Sequence, residues 1–216
     1  MNRDQTQQKV GPSKVGNRIR IELDEAKARL EHVGPIIGVC GGVRVPAADR
    51  YYAATFEMAR RLSANGVAVM SGGGPGIMEA ANKGAKEGAR GASIGLNINL
   101  SFETGPNLYQ DIEVRFDHFG SRKAVFCKYT TAMVVMPGGF GTLDELFEIL
   151  TLIQTEKTKV IPIYLFGREF WQGMLDWVQT SMVDRGLVKA SDLALFEVVD
   201  SVDDLVERCL HAAKSR

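Results

Sequence analysis

Cysteine and histidine are scarce in this 216-residue chain, with three of each. Cys40, Cys127 and Cys209 form no CxxC pair, and their odd number suits a reducing compartment better than a disulfide framework. Each reads as a small buried hydrophobe. His32, His118 and His211 are scattered, with no HxH or HxxxH pair to offer a metal two ligands from one element, so no metal site is expected. Net charge is missing too: 26 Lys and Arg balance 26 Asp and Glu, which removes any bulk attraction to nucleic acid or to an anionic membrane. Long apolar runs are absent. The longest, at 131–137 and 160–166, have strand length and fall far below the ~20 residues of a spanning helix. The opening stretch MNRDQTQQKVGPSKVG holds no apolar segment followed by a small-residue cleavage site, and a cytoplasmic protein is the expectation.

What is abundant is glycine, 23 residues against an average usage of about 7%, and these residues cluster instead of spreading through linkers. With 45% hydrophobic and 24% charged residues, the chain is long enough for one large core and short for two. Residues 1–17 are polar and without apolar periodicity, which predicts a mobile tail, and 18–216 read as a single domain. An amphipathic helix is predicted over 19–33, with Ile19, Leu23, Ala26 and Leu30 on one face. From 35 onwards short apolar runs alternate with helical patterns. Strands are expected at 35–40, 67–71, 92–96, 112–116, 132–136, 160–165 and 195–199, and helices at 49–65, 77–87, 118–129, 142–154, 169–184 and 202–213. The span 97–116 reads as partly irregular. Strand–helix alternation throughout predicts an α/β fold, a Rossmann-like doubly wound parallel sheet flanked by helices.

In such sheets ligands bind beyond the carboxyl ends of the strands, and glycine clusters stand at three of these ends: 41–42, 72–76 and 138–141. None is a standard dinucleotide fingerprint or a P-loop. PGGFGT at 137–142 runs from strand to helix. There Gly138, Gly139 and Gly141 let a ligand approach the backbone, the helix dipole adds positive charge, and Thr142 can cap the helix or bond a phosphate oxygen. The same residues also suit a tight turn without a ligand. Glu145, placed in the first turn of a helix beginning at Thr142, leans back over that loop. A carboxylate repels a directly bound phosphate, so its partner would be sugar hydroxyls or a water; a dipole complement is the plain alternative. Arg122 and Lys123 present the opposite anomaly, two cations at the positive end of a helix. That arrangement calls for an answering anion, a ligand phosphate or Glu145, unless the helix starts earlier and the pair is a solvated basic face. The 72–76 loop, with Gly73 and Gly74 at its centre and Glu79 following, repeats the strand–glycine–carboxylate order.

SGGGPGIMEAANKGA at 71–85, SRKAVFCKY at 121–129 and MPGGFGTLDELFE at 136–148 together resemble the LONELY GUY (LOG) family of cytokinin riboside 5′-monophosphate phosphoribohydrolases, whose hallmark is PGGxGTxxE. The resemblance is to the bacterial type II branch and spans about 36–210. It implies a Rossmann-like fold that takes AMP or an N6-prenylated AMP and hydrolyses its N-glycosidic bond, with Glu145 and Arg122 as the catalytic pair and Gly138, Gly139, Gly141 and Thr142 at the phosphate. Lys123, Glu79, Gly73 and Gly74 join these as substrate-binding candidates. It also implies a homodimer or higher homo-oligomer, for which the apolar residues of 140–153 and 166–177 are candidate interfaces. Two departures stand out. Gly41-Gly42 replaces the Gly-Ser of many relatives, removing a hydroxyl from the ligand's reach. Gly120-Ser121 stands where apolar residues are common, which is expected to loosen the pocket wall. No cofactor is expected: the label "lysine decarboxylase" given to such sequences would require pyridoxal phosphate, and only Lys123 and Lys128 stand near as partners. The competing reading is a nucleotide-binding or carrier protein without catalysis.

Overall fold

The computed structural model describes residues 13–99 and 105–215. Seven strands form one sheet: β1 Ile36–Cys40, β2 Ala68–Ser71, β3 Ser93–Ile98, β4 Ile112–Phe116, β5 Ala132–Val135, β6 Ile163–Phe166 and β7 Glu197–Val199. All neighbours are parallel, in the order β4-β3-β2-β1-β5-β6-β7. The helices are α1 Lys14–Leu30, α2 Arg50–Ala64, α3 Ile77–Gly88, α4 Phe119–Tyr129, α5 Phe140–Gln154, α6 Arg168–Trp177 and α7 Val202–Lys214. This is the Rossmann-like α/β sheet that the alternation predicts.

The period of two along each strand sorts the core into two layers. Ile36 and Cys40 of β1, with Met133 and Val135 of β5, face a cluster capped by Leu30 of α1, Phe126 of α4, Leu146 of α5 and Trp171 of α6. Ile37, Val39, Ala132 and Val134 face the other way, onto Met58 and Leu62 of α2, Ile77 of α3 and Cys209 of α7. Cys40 and Cys209 are buried in these layers as expected. Gly38 draws α4 close to the sheet, because a Cβ there would stand 2.6 Å from Thr130 Oγ1 and 2.8 Å from Phe126 Cζ.

Strand order reverses between β1 and β5, and there the following loops separate to leave a crevice. They remain tied at its base. Gly42 N–H donates to the Pro137 carbonyl (2.9 Å), and Ile77 N–H donates to the Gly42 carbonyl (3.1 Å).

Several boundaries depart from expectation. α1 starts at Lys14, since the Ser13 side chain caps Gly16 N–H, so 14–17 are its first turn and not tail; 1–12 lie outside the described residues. α5 starts at Phe140, two residues early, with Gly141 in a first turn whose N–H groups need no intrahelical partner. β6 starts only at Ile163, after Pro162, whose carbonyl accepts from Met133 N–H (2.9 Å). α6 ends at Trp177 and continues as wider π-type turns over Val178–Val183.

Candidate functional site

A cleft of ≈ 880 Å³ lies over the carboxyl ends of the strands, lined by all three glycine clusters. One of its walls is the β5–α5 loop. The N-terminus of α5 has no capping side chain. A Cβ on Gly139 or Gly141 would meet nothing within 4 Å, so this uncapped, positive helix end has room beside its backbone for a ligand. Thr142 is buried, and its Oγ1 packs on Gly138, where a Cβ would come within 2.1 Å. It stands inside the first turn, so the capping role considered for it does not arise.

Glu145 sits in the second turn of α5, not the first, and still reaches the cleft. Its Oε1 lies 3.8 Å from Arg122 Nη2, and the two side chains are only 16% and 11% exposed. Burial raises the Glu145 carboxyl above the usual carboxylate range, while the Arg122 charge pulls the other way and Asp144 adds to the rise. The Cys40 thiol lies against this carboxylate, and burial followed by the Glu145 charge keeps it protonated. Cys40 therefore does more than fill volume; its position directly before Gly41-Gly42 at a strand end was the signal for this. Arg122 packs edge-on against Gly72, where a Cβ would stand 2.1 Å from Nη2, and its Nε is buried without a hydrogen-bond partner among the described residues.

Lys123 lines the cleft, but its charge is engaged: Nζ lies 3.0 Å from Asp144 Oδ2 and 2.8 Å from Glu148 Oε2. Burial works to lower its pKa, and the two carboxylates outweigh that and raise it. The β2–α3 loop differs from the β5–α5 loop. Gly73, at φ +75, donates its N–H to Ser71 Oγ (3.0 Å), and its carbonyl accepts from Asn107 N (2.8 Å), Asn107 Nδ2 (3.0 Å) and Gln110 Nε2 (3.0 Å). The Gly74 carbonyl accepts from Asn107 as well. Gly73 and Gly74 thus border the cleft with their polar groups largely spoken for. Glu79 does not line it. It accepts the Tyr52 hydroxyl (2.8 Å) between α2 and α3. Burial and then the Glu79 bond push that hydroxyl's pKa upward.

Sequence reasoning passed over the far wall of the cleft, where β3 and the residue that follows it supply Asn97 and Asn99, and β4 supplies Glu113 and Arg115, ion-paired at 2.6 Å. Only the alternation of β4 hinted at it, since residues i and i+2 share a face. Ser121 does not shape the cleft wall: it is buried, and its hydroxyl bonds Glu22. Among the described residues no His, Cys, Asp and Glu group is arranged to hold a metal, and no helix is long and apolar enough to cross a membrane.

The family model described as "Possible lysine decarboxylase" matches residues 78–209. Over 174 residues, 78% of each chain, the protein is 26% identical to cytokinin riboside 5′-monophosphate phosphoribohydrolase LOG2 of Arabidopsis thaliana. It is 33% identical over 108 residues to the probable enzyme LOG6 of the same plant, 48% of this chain and 52% of that one. Among solved structures, the molybdenum cofactor carrier protein of Chlamydomonas reinhardtii superposes with a TM-score of 0.61 at 19% identity, covering 85% of this chain and 99% of that one, a likeness of fold. Lysine decarboxylation does not suit the cleft. Decarboxylation through pyridoxal phosphate needs an amine free to form an imine. Lys123 is held charged between two carboxylates, and Lys128 is exposed, outside the cleft, with its ammonium 5.4 Å from the Tyr129 ring centre. The match over more than half of the chain, joined to the three motifs around one cleft, places this protein in the lysine-decarboxylase-like family to which the LOG phosphoribohydrolases belong.

Proposed function

We propose that the protein hydrolyses the N-glycosidic bond of a nucleoside 5′-monophosphate, AMP or an N6-prenylated AMP, to the free base and ribose 5-phosphate. The observation that carries this reading is the Glu145–Arg122 pair, 3.8 Å apart and largely buried, beside an uncapped helix N-terminus with open glycines. The phosphate sits on the N–H groups of 139–142, which places the ribose over Glu145. As the C1′–N bond breaks, the sugar becomes oxocarbenium-like. Glu145 stabilises that charge and holds the water whose oxygen bonds to C1′; one proton of that water passes to the departing base, and the other stays on the new hydroxyl of ribose 5-phosphate. Arg122 orients Glu145 and the ligand through its planar guanidinium. Lys123 acts indirectly, by fixing Asp144 and Glu148 on α5.

The test is incubation with AMP and isopentenyl-AMP, following free base and ribose 5-phosphate by chromatography. Release of both products by the wild type, and not by Glu145→Gln, supports the hydrolase. AMP binding without release of adenine sinks it and leaves the binding or carrier reading. The exposed Phe140 and Phe147 of α5, with Phe170 and Trp177 of α6, give the proposed homo-oligomer its contact face. Light scattering of Phe140→Glu against wild type checks that assignment. A cytoplasmic location is proposed with the same reading.

A further inference from the structure

The helix that carries Arg122 has a weak start of its own. His118, at its N-cap, makes no side-chain capping bond, and Arg122 follows within the first residues of the helix, where a cation opposes the dipole. Nor does the guanidinium hold itself in place, since among the described residues its Nε has no hydrogen-bond partner and its ion pair with Glu145 is long, 3.8 Å. The position of Arg122 therefore depends on where the α4 backbone sits.

An element distant in sequence fixes that backbone. Glu22 of α1 is fully buried, and its carboxylate is turned onto the start of α4. It accepts from Asp117 N–H (2.9 Å) and from the Ser121 hydroxyl, with His118 Nδ1 3.1 Å away. Ser121 Oγ also lies 2.9 Å from the His118 carbonyl, an alternative acceptor for its single proton. Arg18, one turn earlier on α1, bonds Asp117 Oδ2 (2.6 Å) and lies 3.6 Å from Glu22. Burial alone would raise the Glu22 carboxyl, but these donors outweigh it and hold it below the usual range. A buried carboxylate with these donors ties α1 to the residues that begin α4 through charge-assisted hydrogen bonds.

We infer that Glu22 is a positioning residue for Arg122, acting through Asp117 and Ser121 to fix the first turn of α4 against α1. The inference rests on the reading of Arg122 as a ligand-facing residue of the proposed hydrolase. It gives the N-terminal helix a role at a site that it does not line.

The test is a double-mutant cycle on AMP binding, measured by calorimetry in a Glu145→Gln background so that turnover does not interfere. Glu22→Ala is expected to weaken AMP binding about tenfold with unchanged stoichiometry, and to add less than about twofold once Arg122→Ala is present. Ser121→Ala, which leaves Glu22 in place, is the milder second variant and should show the same non-additivity if Glu22→Ala fails to fold. Equal losses with and without Arg122, or no loss in either variant, would overturn the inference. A readout independent of ligand separates this from failure of the hydrolase reading. The Arg122 Nε–H resonance, identified by its absence in Arg122→Lys, should shift in Ser121→Ala even if the wild type binds no AMP. An unmoved resonance counts against the inference.

Discussion

Two loops of this molecule share a sequence pattern and differ in what surrounds them. Both the β2–α3 and β5–α5 loops run from a buried strand through consecutive glycines into a helix with a glutamate near its start. In the first, the glycines make room for the protein itself: Gly72 for Arg122, Gly73 for the side chains of Asn97 and Gln110. In the second, Gly139 and Gly141 face open space and the helix start is uncapped. Glycine density thus marks close approach of the backbone without saying to what. The decisive difference is in the polar groups, which pair with Asn107 and Gln110 side chains at Gly73 and Gly74, whereas no side chain caps the helix start at Gly139.

The largest effect tests the glutamates. Glu145→Gln should lower base release by about 10³-fold while AMP still binds, since the interaction lost is one made with developing charge. Chromatographic turnover assays alongside calorimetric binding check both halves. The glycines come next. Gly72→Ala places a Cβ 2.1 Å from Arg122 Nη2, so the guanidinium must move, and kcat/KM should fall about 10²-fold. Gly139→Ala, at φ −103 with nothing near the new methyl, should leave the thermal midpoint unchanged and raise KM for AMP by about three- to tenfold. If Gly139→Ala leaves KM alone, the open loop is not where the phosphate binds, and the contrast between the loops loses its functional meaning.

A further prediction uses pH. Glu145 acts as the carboxylate, and burial raises its pKa above the usual 4.5 against the pull of Arg122. Activity should therefore be lost as pH falls through a value above 4.5. Arg122→Gln, which removes the largest opposing influence, should move that acid limb of kcat/KM to still higher pH. A limb that stays in place means that Arg122 does not set the charge state of Glu145.

The open loop was readable in the chain because every part of it is local: an apolar strand, PGGFGT and a helix with its glutamate lie within 20 residues of one another. The sheet was readable for the same reason, since period and glycine placement are local signals. What stayed hidden depends on pairings across the fold. Glu22 meets Ser121 across 99 positions and Glu79 meets Tyr52 across 27, and nothing in either neighbourhood names its partner. The closed state of the 72–76 loop was equally invisible, because Asn107 and Gln110 belong to the irregular stretch that follows β3. Even the start of α1 turned on a serine cap that sits inside a run of tail-like composition.

The smallest expected effect is the sharpest check on the comparison. Glu79 follows its glycines as Glu145 follows its own, yet its carboxylate accepts from Tyr52 Oη and does not line the cleft. Glutamine at 79 keeps an oxygen to accept that bond and gives up only a charge at the start of α3, worth about 0.3–1 kcal/mol. Glu79→Gln should therefore keep kcat/KM within about twofold of wild type while the denaturation midpoint drops slightly. A large loss of activity with normal stability would return Glu79 to the ligand and join the two loops in one site. An unchanged rate leaves the β5–α5 loop with the chemistry and the β2–α3 loop with the architecture that holds Arg122 over it.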